Sequence, residues 1–137
     1  MTTTTKSLHQ QLMNEAYDVF KSGRGDDYEG FVDGLDDRHR AAVILGNFNY
    51  QVENGGFLQW HDNGYSSRID WLHKYLKAIA TPTAQEVTEM VNEFQIITAN
   101  LDSEDEEESP YDLLDSRYYR INHQLMVDAE NWLRKLS

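Results

Sequence analysis

Apolar residues return every three or four positions along nearly the whole chain, the spacing that gathers them on one side of an α-helix. Over residues 7–22, Leu8, Leu12, Ala16 and Phe20 follow one another at i, i+4, with Met13 and Val19 beside them and Gly23 as a C-terminal stop. Asp26 and Asp27 can cap a short second helix that buries Phe31, Val32 and Leu35. From Asp36 onward Ala41, Ile44, Leu45, Phe48 and Val52 share a face, and Asn54 with Gly55 ends that helix. Residues 56–61 add one more turn before Asn63 and Gly64 interrupt the pattern. Ile69, Leu72, Tyr75, Leu76 and Ile79 define a helix over 67–80, closed by Thr81 and Pro82. Thr83 with Glu86 reads as a capping box for the next helix, whose core stripe is Val87, Met90, Val91, Phe94 and Ile97. Ser109 and Pro110 start a short turn, and Tyr118, Ile121, Leu125, Ala129, Trp132 and Leu136 mark a final helix.

Strict alternation of polar and apolar residues is nearly absent, so no strand is predicted. The expected fold is all-α, a single bundle of about five main helices plus one or two short ones. One domain spans 1–137, with a disordered tail at 1–6 and an acidic loop at 102–109. Ile44, Phe48, Phe57, Leu72, Phe94, Ile121 and Trp132 are the expected core. Gly55 and Gly56 must supply at least one positive φ, because one helix ends there and another begins.

Composition narrows the function. The 137 residues contain no cysteine, which removes disulfides, thiolate metal sites and a cysteine nucleophile, and suggests a reducing compartment. The N-terminal stretch has no apolar signal region, and no segment approaches the roughly 18 apolar residues of a membrane span, so a cytoplasmic protein is expected. Against 12 basic residues stand 24 acidic ones, a net charge of -12 with a pI of 4.6. Such a chain repels nucleic acid and anionic lipid, and a charge-driven partner would be cationic.

The acids are clustered. Between Lys77 and Arg117 there is no lysine or arginine, whereas Glu86, Glu89, Glu93, Asp102, Glu104, Asp105, Glu106, Glu107, Glu108, Asp112 and Asp115 all fall in that span. Glu86, Glu89 and Glu93 sit opposite the apolar stripe of their helix and form one solvent-facing row. Carboxylates at such spacing stand about 5 to 6 Å apart at Cβ, near the separation of successive phosphates on a nucleic-acid strand. A second acidic patch comprises Asp26, Asp27, Glu29, Asp33, Asp36 and Asp37. The competing reading of both clusters is a solvated surface that favours solubility.

Catalytic signatures are missing. Counted from Asp102, a calcium loop would need glycine where Glu107 stands and an acid where Leu113 stands. His9, His39, His61, His73 and His123 are scattered, and neither a nucleophile elbow nor a phosphate loop occurs. The expectation is a non-enzyme with no cofactor and no metal. Tyr17, Tyr28, Tyr50, Tyr65, Tyr111 and Tyr119 can join an interface or pack between helices, and a pocket around Trp60, His61 and Tyr65 is a further option.

The segment QVENGGFLQW at residues 51–60, followed by Asn63, resembles the signature of a family of small acidic bacterial helical proteins. Asn54, Gly55, Gly56, Phe57, Gln59 and Trp60 match as they stand, while the acid falls after the valine rather than before it. The element Leu114, Asp115, Ser116, Arg117, Tyr118 and Tyr119 adds to the likeness. The best-known member of that family is described as a DNA mimic that occupies a transcription factor. The resemblance therefore implies a helical interaction protein whose acidic residues take the DNA-binding surface of a basic protein, a transcription factor, nuclease or defence effector. From charge and hydropathy, no direct nucleic-acid binding and no membrane association are expected, and a homodimer is left open. The alternatives are an immunity-like or antitoxin-like inhibitor that binds by shape, or a ligand-binding protein.

Overall fold

Six α-helices and one 3-10 turn account for the described part of the chain, residues 7–22, 27–101 and 110–136 of a computed structural model, side chains excepted at 19–22. They are α1 (Leu8–Ser22), α2 (Tyr28–Asp33), α3 (Asp37–Asp62), a 3-10 turn (Tyr65–Arg68), α4 (Ile69–Ile79), α5 (Pro82–Ala99) and α6 (Asp112–Lys135). No strand occurs among the described residues, and no helix there is long and apolar enough to cross a membrane. The expected tail at 1–6 and acidic loop at 102–109 lie outside the described residues.

Helix α3 is the central element and packs against α1, α4 and α6, while α5 bridges α4 and α6. Its residues 41–48 are buried without a break, which explains why no single apolar face stands out there: neighbours cover it on several sides. Ile44, Phe48, Phe57, Leu72 and Phe94 are buried as expected. Ile121 and Trp132 are only half-buried, because the covered stripe of α6 is Leu114, Tyr118, Leu125, Ala129 and Leu133 and both residues flank it. The start of α5 also differs from expectation. Thr81 Oγ1 accepts the Ala84 N–H at 3.1 Å and Pro82 occupies the first helical position, where its missing N–H costs nothing, so the cap lies two residues before Thr83.

The Asn54 to Trp60 motif is a break inside α3. Gly55 has φ -150 and Gly56 has φ 78, so the helix stops and restarts in another direction. In an unbroken helix the Val52 carbonyl would pair with the N–H four residues on, and Phe57 N–H with the carbonyl four residues back. Helix α6 supplies partners on both sides of the break. Asp115 Oδ1 accepts the Phe57 N–H at 2.9 Å, and the Tyr119 hydroxyl donates to the Val52 carbonyl at 2.9 Å. Behind these bonds the rings interlock: Phe48 meets Phe57, Trp60 and Tyr118 edge-on at 5.7, 5.0 and 5.3 Å, and Phe57 stacks on Phe94 at 5.7 Å. Two stretches of sequence that looked like separate motifs are thus one joint.

Phe57→Ala is expected to cost about 3 to 5 kcal/mol, read by chemical denaturation. Gly56→Ala combines a left-handed φ with a Cβ that would stand 2.3 Å from Asp115 Oδ2, and should cost at least about 1 kcal/mol. At the partner position, Asp115→Ala should lose about 1 to 3 kcal/mol by orphaning a backbone N–H, whereas Asp115→Asn, which keeps an acceptor, should lose markedly less.

Candidate interaction surface and groove

Helix α5 turns Val87, Met90, Val91 and Phe94 inward, which leaves Glu86, Glu89 and Glu93 exposed along its outer side. Glu86 and Glu89 make no ion pair among the described residues, although Glu89 shares a shallow pocket between α4 and α5 with Lys77 and His73. Glu93 is different. Arg117 reaches across from α6 and donates to its carboxylate at 2.7 Å, so the basic residue that bounds the acid-only span neutralises one member of it. Asp112 is exposed in the first turn of α6. Asp115 does not extend the row, being the half-buried acceptor of the Phe57 N–H; burial pushes its carboxyl up, against the pull of that hydrogen bond. Asp102, Glu104, Asp105, Glu106, Glu107 and Glu108 lie outside the described residues.

The second acidic patch proves to be built into the fold, with Asp26 outside the described residues. Asp27 caps α2 through the Gly30 N–H, and Asp36 caps α3 through the His39 N–H, both at 2.9 Å. Arg68 joins Glu29 at 2.7 Å and Asp33 at 2.8 Å, and Trp71 Nε1 donates to Asp33 at 3.0 Å. Asp37 accepts from Arg40 and from the Tyr75 hydroxyl, each at 3.1 Å, while Arg40 lies 4.0 Å over the Trp71 ring. These partners arrive from α3, α4 and the 3-10 turn, and the linear sequence does not display that convergence. Arg68 and then Trp71 hold the Asp33 carboxyl below its usual range.

His39 ties α1 to this network, with Nε2 2.8 Å from Glu15 and Nδ1 2.8 Å from Asp36. Burial works against its protonated form, but the two carboxylates outweigh that and raise its pKa. A raised histidine stabilises the fold most below its unfolded value and loses that contribution as pH rises through the folded value. Between about pH 6 and about pH 8 the wild-type chain should therefore lose more of its melting temperature than His39→Gln, which lacks the titrating group.

Trp60, His61 and Tyr65 do not form the anticipated pocket. Trp60 is buried against Phe48 and Phe94, His61 Nδ1 bonds Ser66 Oγ at 2.7 Å, and Tyr65 packs edge-on to Tyr28 at 4.7 Å. Of the tyrosines singled out, Tyr111 is buried, Tyr17, Tyr28 and Tyr65 are half-buried, and Tyr50 and Tyr119 are exposed. An open groove of about 730 Å³ lies elsewhere, between α1, α3 and α6, with Met13, Tyr17, Tyr50, Met126 and Val127 among its walls. His9 and Asn47, both buried, belong to its lining. An amide chain connects it to the α3 break. Asn54 Nδ2 donates to Gln59 Oε1 at 3.3 Å, Gln59 Nε2 and Asn63 Nδ2 donate to Gln51 Oε1 at 2.9 Å each, and Gln51 itself lines the groove. The sequence did carry a hint of it. His9, Met13 and Tyr17 run at i, i+4 one residue behind the core row Leu8, Leu12 and Ala16.

The geometry of the joint can be set beside known families. Neither a curated protein nor a solved structure matches the chain. A family model does, over residues 33–136, well over half of the length and including both halves of the joint. It corrects the likeness suggested by the short glycine motif, because the family identified over that length is a different one from the small acidic family the motif resembled. With the whole of α3 to α6 inside the match, the chain belongs to the DMP19-like protein family.

Proposed function

We propose that the protein is a non-catalytic inhibitor that mimics DNA, its α5 face taking the place of a phosphate row on the DNA-binding surface of a basic protein. The observation that carries this reading is the exposed pair Glu86 and Glu89, unpaired among the described residues, in a span of the sequence that contains no lysine or arginine. Family membership supports it, since DMP19 is itself a DNA mimic protein. Of the two acidic clusters, the α5 row is the better candidate, because the acids at 27–37 are engaged in caps and ion pairs. Exposed like charges at helical spacing cost a few tenths of a kcal/mol per pair, a sacrifice consistent with selection for binding. The partner class is a basic DNA-binding protein such as a transcription factor, nuclease or defence effector, met in the cytoplasm.

Charge reversal separates binding from folding. Glu86→Lys with Glu89→Lys should change stability by no more than about 0.5 kcal/mol, as exposed substitutions usually do. Capture of a basic protein from extracts of the native cell should fall at least about tenfold, because close charge pairs across an interface couple by about 1.5 kcal/mol or more. Duplex DNA should displace the captured protein, and rising salt should weaken the complex. Undiminished capture by the folded variant, or a complex indifferent to both DNA and salt, would assign binding to shape rather than to this face.

A further inference from the structure

The groove between α1, α3 and α6 has a feature that the mimic reading does not use: two buried polar atoms of opposite sense that make no hydrogen bond among the described residues. His9 is 6% exposed, and its Nε2 lies 2.7 Å from the Ala42 carbonyl. A carbonyl can only accept, so Nε2 carries the hydrogen. Burial lowers the pKa of the ring against the opposing Ala42 bond and Glu130 charge, which keeps it neutral and leaves Nδ1 as a bare acceptor. Nδ1 has no partner among the described residues.

Asn47, 7% exposed, holds its Oδ1 3.5 Å from Gln51 Nε2 at the end of the amide chain. Its Nδ2 sits beside the Tyr28 hydroxyl, whose burial-raised pKa it works against, yet makes no hydrogen bond of good geometry. Buried donors and acceptors left unmade are costly, and native structures keep few of them.

The surroundings restrict what could satisfy them. Among the described residues no lysine or arginine lines the groove, which disfavours phosphates and carboxylates. Glu130 is already committed to the Leu8 and His9 N–H groups and to Arg134, and Glu53 to Asn122, so the site holds little free negative charge for a cation. Methionine sulfur and tyrosine walls suit a flat apolar body, and about 730 Å³ falls within the usual range of small-molecule pockets. Gly46 is part of the construction: a Cβ there would stand 2.3 Å from Met13 Sδ and 2.8 Å from His9 Nε2, so its absence lets both side chains lie across α3.

We propose that this groove is a binding site for an uncharged small molecule that presents an amide edge on a flat apolar body. The amide N–H would donate to His9 Nδ1 and its carbonyl would accept from Asn47 Nδ2, with the body between Met13, Tyr17 and Met126. This assignment is independent of the acidic face.

Benzamide is the probe, titrated into the full isotope-labelled chain and followed by amide resonances. Saturable shifts at Gly46, Asn47 and Val127 are expected. N,N-dimethylbenzamide, which keeps the ring and the carbonyl but has no N–H, should bind about tenfold more weakly, the value of one buried hydrogen bond, and benzoate more weakly still. Val127 is 40% exposed at the rim, so Val127→Trp should fold normally and abolish the titration by filling the mouth. The proposal is overturned by the absence of saturable shifts, by equal binding of the dimethyl compound, or by a wild-type titration in Val127→Trp. Because the mimic reading is tested by capture of a protein on α5, either result can fail without the other.

Discussion

Everything in the bundle is arranged about the hydrogen bond from Phe57 N–H to Asp115. The break at Gly56 redirects the second part of α3, where Phe57 and Trp60 join Phe48. Such a break exposes backbone groups that the core cannot leave unmet. One carboxylate and one phenol of α6 meet them, and by doing so fix where α6 lies. The Tyr118 ring then reaches the central aromatic cluster, with its hydroxyl donating to Asn49 at 2.6 Å. The carboxylate is half-buried at a cost in desolvation, which the backbone bond offsets in part.

The helices were legible because burial imposes a period on the residues that face the core, and that period is printed in the sequence. Positions with local causes were legible too, such as the cap at Asp27 and a positive φ within the Gly55 and Gly56 pair. The cap of α5 shows the limit. Thr83 and Glu86 fit a capping pattern as well as Thr81 does, and only the preference of Pro82 for the first helical position decides between them. Ile121 and Trp132 show another limit, since helical spacing tells which side a residue is on but not how far the neighbouring helices extend over it.

The charged residues taught a different lesson. Asp33 and Asp115 both belong to acidic clusters when counted along the chain, yet the first is bound by Arg68 and Trp71 and the second by a backbone N–H more than fifty positions away. A row of acids in sequence is a statement about one helix, whereas free charge depends on what the other helices bring. Glu86 and Glu89 keep theirs because no basic side chain of α4 or α6 pairs with them among the described residues. The groove was only hinted at in the sequence for the same reason: His9 and Asn47 are unremarkable until α1 crosses α3 at Gly46 and both side chains become part of one lining.

The joint also imposes an order on folding. The part of α3 before Gly55 is held by local bonds and can form on the time scale of an isolated helix. The part after Gly56 acquires its acceptor only when a residue 58 positions further along returns, and closing a loop of that length costs entropy before the contact is made. Completion of the central helix therefore waits for the last one. In a growing chain from which α6 has not yet emerged, the Phe57 N–H lacks its acceptor and the aromatic cluster lacks Tyr118, so the exposed rings of an unfinished core are a feature of synthesis that the mature bundle conceals.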